Sequence, residues 1–171
     1  LFSDKKGHVI CRELAYGQYV VIESTVPDNY SPIDPFIVTI NEDSREPQPW
    51  RVFADKEFQA LLKIYKMDGT SKLPVLHAGA TFRIYDMESG EYIKQYTHYP
   101  KFKEHTEFVT SNEGYLVTPE KLSAGHYRIE EIKAPTGYIP AGPIEIFLNS
   151  YSAYEIEPET GAEVIILNVE N

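Results

Sequence analysis

The amino-acid sequence predicts an all-β fold of the sandwich or barrel type, and three observations support that prediction. Short segments rich in Val, Ile, Tyr, Phe and Thr alternate with turn signals such as MDGTSK, MESGEY, SNEGY and APTGY. The 12 prolines and 10 glycines are spread closely along the 171 residues. No long segment shows the 3.6-residue apolar period of an amphipathic helix. We therefore expect strands and tight turns throughout.

Composition excludes several classes of protein. Apolar residues make up 42% of the chain, which is enough for a packed core. Acidic residues outnumber basic ones by 26 to 16, and no Lys/Arg cluster is present, so we expect no nucleic-acid partner. No apolar run approaches the roughly 20 residues of a membrane helix, so we expect no membrane insertion by this fragment.

The side chains that could hold a metal or form a disulfide are sparse. The five histidines lack the paired spacing of a metal site, so we expect no metal. Cys11 is the single cysteine, which excludes an intramolecular disulfide framework. No grouping of nucleophile and base supports hydrolysis of an external substrate, and we expect no cofactor.

An internal repeat organises the chain into one and a half modules. The segment Gly17–Phe36 aligns without gaps on Gly125–Ile144 at an offset of 108 residues, and Glu23 matches Glu131. Residues 59–171 form a complete module, whereas residues 1–58 correspond to the C-terminal part of another. The first copy lacks counterparts of the segments LLKIYKMDG and AGATFRIYD. We expect it to be completed by residues outside this sequence or to rest on the second module.

One glutamate in the segment YRIEEIKAPTGY occupies the same alternate strand positions as the apolar residues. Successive strand residues face opposite sides of a sheet. Glu131 therefore shares a face with Tyr127 and Ile129, whereas Glu130 shares the opposite, solvated face with Arg128. Glu131 is thus expected to be buried.

Two further polar residues are in step with apolar neighbours. Lys66 follows Leu62 and Ile64 at alternate positions of the module's first strand. Asn168 follows Val164 and Ile166 in the same way in the last strand, and first and last strands of a Greek-key sandwich can be adjacent.

A buried lysine, glutamate and asparagine together suggest one reaction. Burial favours the uncharged forms of lysine and glutamic acid, and a neutral amine is a nucleophile. The protonated acid could polarise the carboxamide and transfer protons to leaving ammonia. The product would be a Lys66–Asn168 isopeptide bond, with Glu131 as the catalytic group. Each residue also has an ordinary interpretation: a lysine that reaches out to water, a salt-bridged glutamate and a turn-capping asparagine.

The segments LLKIYKMD, HAGATFRIYD, NEGYLVTPEKLSAGHYRIEEIKAPTGY and VIILN resemble the B-type domains of the collagen-binding surface protein Cna. The same domains occur in SpaA-type pilins of Gram-positive bacteria. The resemblance implies a Greek-key, immunoglobulin-like β-sandwich with prealbumin-like topology. It also implies that Lys66, two residues before Asp68, is the reactive lysine, that Glu131, four residues before Pro135, is catalytic, and that Asn168 is the acceptor.

Alternatives stay open at two of these positions, and the first copy departs from the pattern. Lys63 is the second choice of lysine, and Asn171 is a weaker acceptor because it comes three residues later. Glu23 and Asp55 are the first-copy counterparts of the catalytic and acceptor residues, but no partner lysine precedes them. We therefore predict no isopeptide bond confined to residues 1–58. With a lysine supplied from elsewhere, Asp55 would react with loss of water.

The preferred functional hypothesis is a stalk module of a cell-wall-anchored, extracellular adhesin or pilus protein, whose partners are neighbouring modules. The only chemistry it would perform is a single intramolecular turnover. The alternative is a binding module for a glycan or host matrix protein, with residues 94–108 as the candidate loop. The YPKF segment at Tyr99–Phe102 resembles a pilin polymerisation motif, but its place inside a module argues against that role.

Overall fold

The computed structural model describes residues 1–41 and 55–171, and within these ranges the protein contains β-strands and no helix. The all-β prediction is therefore confirmed. The strands are β1 (Gly17–Val21), β2 (Tyr30–Ser31), β3 (Phe36–Ile40), β4 (Lys56–Glu57), β5 (Gln59–Met67), β6 (Thr81–Asp86), β7 (Glu91–Tyr92), β8 (Gln95–Thr97), β9 (Lys103–His105), β10 (Phe108–Val109), β11 (Tyr115–Val117), β12 (Leu122–Ser123), β13 (Gly125–Lys133), β14 (Ile144–Leu148), β15 (Glu155–Ile156) and β16 (Glu163–Glu170).

The chain forms two compact units. Unit 1 comprises residues 1–26 and 31–56, and unit 2 comprises residues 27–30 and 57–171. The division at residue 56 falls two residues before the predicted module boundary, and the short segment 27–30 groups with unit 2.

Unit 2 is a sandwich of two five-stranded sheets. One sheet has the order β11-β5-β16-β15 with β12 also on β5, and the other has the order β10-β6-β13-β14 with β7 on β6. β5 and β16 run parallel and adjacent, from Val164 opposite Leu61 to Glu170 opposite Met67. The first and last strands of the module therefore lie side by side, as the Greek-key prediction requires.

The core of unit 2 lies between the two sheets, because each long strand buries alternate residues. In β5 every second residue from Ala60 to Lys66 is buried, and in β13 Tyr127, Ile129 and Glu131 are buried. The apolar members of this core are Leu62, Ile64, Ala80, Phe82, Ile84, Phe108, Leu116, Leu122, Tyr127, Ile129, Leu148 and Val169. Lys66 and Glu131 are thus polar residues at core positions.

Unit 1 contains the antiparallel pair β1–β3, which reproduces the pair β13–β14 residue for residue. Gly17 lies opposite Ile40, and Gly125 lies opposite Leu148, so both partners are shifted by the same 108 residues. The hydroxyl of Tyr19 donates to the Ala15 carbonyl at 2.7 Å. The hydroxyl of Tyr127 donates to the Ser123 carbonyl at 2.9 Å. The repeat found in the sequence is therefore a repeat of backbone register and hydrogen bonding.

Candidate functional site

Lys66 occupies an interior position near the end of β5. Its side chain has 0% exposure and follows Leu62 and Ile64 on the same face, because alternate strand residues point the same way. The Lys66 backbone N–H donates to the Gly114 carbonyl at 2.9 Å, and its carbonyl accepts from Val75 N–H at 2.8 Å. These two hydrogen bonds hold one edge of the strand where the lysine enters the core, and β16 pairs with the other edge.

Glu131 faces Lys66 from the opposite sheet. The Lys66 Nζ atom lies 2.8 Å from Glu131 Oε2, and neither side chain is exposed to solvent. Glu131 follows Tyr127 and Ile129 on the inner face of β13, as strand alternation predicts. The structure therefore brings these two site residues together, while their chemical roles stay predictions.

The neighbouring Glu130 has an ordinary structural environment. It accepts hydrogen bonds from Arg128 Nε at 2.7 Å and from the Tyr92 hydroxyl at 2.8 Å on the outer face of the sheet. The Tyr92 hydrogen bond and the Arg128 guanidinium hold the pKa of Glu130 below its usual value, although partial burial opposes them. The two adjacent glutamates thus lie on opposite faces with different environments.

The carboxylate of Glu131 has one occupied and one free oxygen. Oε2 accepts from Lys66 and also from the Ala141 backbone N–H at 2.6 Å. Oε1 is buried and has no hydrogen-bond partner among the described residues. A buried acceptor without a partner is uncommon and costs free energy. Oε1 is therefore available to a polar group brought against the pair.

The segment that supplies the Ala141 N–H is residues 134–143, which we call the strap. It begins with a turn in which Tyr138 N–H donates to the Pro135 carbonyl at 3.1 Å. Gly137, inside this turn, has φ of 92°, a conformation that glycine adopts without strain. The Tyr138 hydroxyl then donates to Asp68 Oδ2 at 2.9 Å.

Asp68 is a firmly ionised acceptor just beyond β5. Its pKa is lowered to about 2, chiefly by the Ser71 backbone N–H and then by the Tyr138 hydroxyl. The Ser71 and Thr70 N–H groups lie 2.6 and 2.9 Å from Asp68 Oδ1. The sequence distinguishes Asp68 only by its spacing from Lys66, whereas the structure shows what its carboxylate contacts.

Asn168 does not face the pair, so the expectation that it shares the buried face is wrong. In the β5–β16 register Asn168 lies opposite Tyr65, and Val169 lies opposite Lys66. Opposed residues of neighbouring strands project to the same face of a sheet. Val169 is buried, whereas Asn168 is exposed on the outer face together with Ile166.

Asn171 continues the series of alternate positions of the last strand that face the core, whereas Asn168 belongs to the other series. It comes two residues after the buried Val169 and directly follows the end of β16. Its backbone lies against Gly69, so closely that a Cβ on Gly69 would fall 2.0 Å from the Asn171 carbonyl oxygen. Asn171 is thus next to the turn that follows Lys66, although its residue as a whole is exposed.

Lys63, the second choice of lysine, lies on the outer face of the same strand. Its Nζ is 4.1 Å from the ring centre of Tyr115 and 4.9 Å from that of Tyr65. A hydrogen bond with Tyr65 raises the pKa of Lys63, which keeps it charged. The structure therefore separates Lys63 from Glu131 by the thickness of the sheet.

The first copy of the repeat has a counterpart of the strap without the lysine. The Ile33 N–H donates to Glu23 Oε2 at 3.1 Å, and Ile33 is the counterpart of Ala141 at the 108-residue offset. Tyr30 N–H donates to the Pro27 carbonyl at 3.1 Å. Asn29 stands where unit 2 has Gly137 and has φ of 68°, which asparagine tolerates better than most residues. This substitution explains how the first copy keeps the turn without its glycine.

The remaining first-copy residue is Asp55, which is partly buried. The rest of the segment RVFAD, which suggested its match to the end of β16, lies outside the described residues. Its predicted role as an acceptor stays a prediction.

The other candidate features lie away from the pair. The YPKF segment forms the tip of the β8–β9 hairpin, where Tyr99 is 90% exposed and Phe102 stacks on Tyr96. Cys11 is exposed. Within residues 1–41 and 55–171, no cluster of His, Cys, Asp and Glu could hold a metal ion, and no helix could span a membrane.

Comparison with protein families gives a match over most of the chain. The family model described as "SpaA: Prealbumin-like fold domain" matches residues 1–48 and 60–161. No curated protein matches the sequence.

Several solved bacterial protein structures are similar to this chain at low sequence identity. The group B streptococcus pilus 2b backbone protein is 19% identical with a TM-score of 0.48, over 88% of this chain and 51% of that one. The major pilin SpaD from Corynebacterium diphtheriae is 23% identical with a TM-score of 0.43, over 71% of this chain and 32% of that one. The Bacillus anthracis TIE protein is 25% identical with a TM-score of 0.44, over 99% of this chain and 26% of that one. This chain therefore spans about half the length of the first protein and less of the other two.

Proposed function

The chain belongs to the family of SpaA prealbumin-like fold domains, and we propose that it is a stalk segment of a Gram-positive surface adhesin or pilus. In this proposal, unit 2 is closed by one isopeptide bond between Lys66 and an asparagine of the last strand. The observation that carries it is the Lys66–Glu131 pair, with 2.8 Å between Nζ and Oε2 and no solvent exposure, next to parallel first and last strands. The stalk would lie outside the cell, joined to neighbouring modules and anchored to the cell wall.

Burial of the pair prepares the amine for attack. A salt bridge removed from water is weak support for a fold, because desolvation offsets the attraction between the charges. Transfer of one proton from Lys66 to Glu131 across their 2.8 Å hydrogen bond gives a neutral amine and a neutral acid. The neutral amine is the nucleophile that an amide exchange requires.

The reaction exchanges one amide nitrogen for another. The Nζ lone pair attacks the Asn side-chain carbonyl carbon, and the Glu131 proton stabilises the oxygen of the tetrahedral intermediate. The intermediate then expels the side-chain nitrogen, which leaves as ammonia with a proton that originated on the lysine. Glu131 enters this exchange as the neutral acid and returns to that form after relaying the protons, so the exchange consumes neither cofactor nor metal.

Asn171 is the acceptor that the strand phase favours. Asn168 is exposed and lies opposite Tyr65, on the face away from Lys66. Asn171 is in phase with Val169, which lies opposite Lys66, and its backbone contacts Gly69 just beyond β5. The unpartnered Oε1 of Glu131 could hydrogen-bond an incoming carboxamide.

Such a bond would suit a protein that carries tension. It would close a loop of 105 residues (171 − 66). A cross-link that closes about 100 residues contributes roughly 4.7 kcal/mol in the chain-entropy description of disulfides. Because Lys66 and Asn171 lie near the two ends of the module, a pulling force would pass through the bond rather than through the strands between them.

Peptide mapping tests the bond and its acceptor together. After proteolysis of the folded 171-residue chain, tandem mass spectrometry should find the Lys66 peptide joined to the Asn171 peptide through an amide. A linkage to Asn168 would support the bond but contradict the acceptor. The recovery of all three residues unmodified would contradict the proposal.

The exposed aromatic tip of the β8–β9 hairpin favours a second candidate, binding of a glycan or host protein. Tyr99 and Phe102 are exposed, and aromatic faces at a hairpin tip are suited to stacking on a ligand. This candidate predicts that Tyr99→Ala abolishes binding to the ligand while the mass of the protein is otherwise unaffected. A screen of immobilised glycans and matrix proteins with the wild type and this variant tests it.

A further inference from the structure

The burial of Lys66 and Glu131 is unexpected for their place in the strands. Lys66 is the next-to-last residue of β5, and Glu131 is the third from last of β13, just before a register shift. Strand ends usually border the solvent, and long polar side chains there reach out to water. Something other than the strands themselves must exclude water from this end of the sandwich.

The strap is the element that contacts the pair from this side. Within it, Pro135 is buried, and Ala141 packs against the core, while most other residues of the segment are exposed. Ala141 N–H donates to the same Glu131 oxygen that contacts Lys66. The strap therefore covers the pair and supplies one of its hydrogen bonds.

Two anchors hold the middle of the strap. One is the Ala141–Glu131 hydrogen bond, and the other is the hydrogen bond from the Tyr138 hydroxyl to Asp68. Asp68 lies two residues after Lys66, so one segment carries both the amine and the anchor. Because backbone N–H groups of Ser71 and Thr70 fix the Asp68 carboxylate, Tyr138 docks onto a preorganised acceptor.

We propose that Tyr138 and Asp68 are positioning residues, whose hydrogen bond latches the strap over the Lys66–Glu131 pair and keeps water from it. This inference rests on the proposed function, since the latch matters for the reaction only if Lys66 reacts. An open strap would admit water to the pair and remove the Ala141 N–H from Glu131. The hydrogen-bonded Asp68 holds its pKa near 2, so the latch stays intact at neutral pH.

Unit 1 is consistent with the importance of this second anchor. Its strap keeps the amide hydrogen bond to Glu23, but the distance is 3.1 Å, against 2.6 Å in unit 2. Residues 1–58 contain no segment that corresponds to β5 and therefore no counterpart of Asp68 at the repeat offset.

The first test measures the strap without relying on the reaction. In the full chain carrying Asn171→Ala, which blocks the proposed cross-link, hydrogen exchange of the Ala141 amide reports whether the strap is closed. Removal of a hydrogen bond to a charged acceptor by Tyr138→Phe should accelerate this exchange roughly tenfold. Tyr92→Phe is the matched control, because it removes a tyrosine hydroxyl bonded to Glu130 at 2.8 Å on the outer face. Equal exchange in the Tyr138→Phe and Tyr92→Phe chains would overturn the latch.

The second test links the latch to the reaction. With Asn171 intact, intact-mass time courses should show cross-linking slowed several-fold by Tyr138→Phe and unchanged by Tyr92→Phe. Asp68→Asn, which keeps a side-chain oxygen as acceptor, should give an intermediate rate. An unslowed reaction in Tyr138→Phe would contradict a positioning role. A wild type that never loses ammonia contradicts the proposed bond instead, and the exchange experiment then still decides whether the strap is latched.

Discussion

Unit 1 and unit 2 present the same strand pair and the same glutamate in two different environments. The registers of β1–β3 and β13–β14 coincide at the 108-residue offset, and each glutamate accepts a backbone N–H from the strap ten residues later. Within residues 1–41 and 55–171, Glu131 is the one of the two glutamates that contacts a lysine, at 2.8 Å. The comparison separates the part of the site that the repeated hairpin builds from the part that β5 adds. The hairpin and strap fix the carboxylate, and β5 supplies the amine and the strap's second anchor.

The largest effect is expected from removal of the unit 2 glutamate. Glu131→Ala would leave the Lys66 amine buried without its partner, which typically costs roughly 3–5 kcal/mol, and it would also prevent the cross-link. Chemical denaturation should therefore show a much lower free energy of unfolding, together with the unmodified mass.

The matched change in unit 1 is Glu23→Ala. It removes one hydrogen bond from Ile33 N–H and should cost about 1 kcal/mol without altering the mass. Similar losses in the two variants would show that the lysine does not distinguish the units.

The next effect concerns the acceptor. Asn171→Ala should abolish the cross-link and lower the free energy of unfolding by roughly 4.7 kcal/mol, the chain-entropy contribution of a loop of about 100 residues. Asn168→Ala, on the exposed outer face, should leave both quantities nearly unchanged. The reverse result would identify Asn168 as the acceptor and would contradict its placement on the outer face of β16.

A smaller effect on stability is expected from the turn at the start of the strap, which contains Gly137 in the second repeat copy and Asn29 in the first. Gly137 has φ of 92°, and a Cβ added there would have no neighbour within 4 Å, so only backbone strain opposes a substitution. Gly137→Ala should cost about 1–2 kcal/mol, and Gly137→Asn, which copies Asn29 of the first repeat copy, should cost less. Thermal unfolding of the two variants measures the difference. Equal costs would show that asparagine does not replace glycine in this turn.

The smallest effect is a loss of stability at acidic pH. The pKa of Asp68 is lowered from 3.8 to about 2 in the folded protein, so its contribution to stability is complete above pH 3.8 and disappears as the pH falls toward 2. The wild type should exceed Asp68→Asn in stability at neutral pH, and the difference should shrink between pH 4 and pH 2. A difference that is constant over this range would contradict an ionised Asp68 anchor.

Strand alternation was sufficient to predict two of the three site residues. Lys66 and Glu131 each follow clear alternate apolar positions in their strands, and both proved to be buried. The all-β fold was also predictable because turn residues are local signals, and the repeat because two segments match at a constant offset of 108 residues. The adjacent first and last strands followed from the Greek-key arrangement.

The acceptor could not be predicted in the same way. Residues 164–167 are four consecutive apolar residues, so the sequence does not show which face of β16 is buried. The pairing with β5 decides it, since Val169 lies opposite Lys66, and a one-residue error in phase reverses every side chain. The Ala141 contact was also missed, because a backbone N–H leaves no signal in residue type.

The intact mass of the purified, folded 171-residue chain tests the central claim most directly. We predict a mass lower than the calculated value by one ammonia in the wild type and in Asn168→Ala, and the full calculated mass in Glu131→Ala and Asn171→Ala. A folded wild type with the full calculated mass would contradict the cross-link.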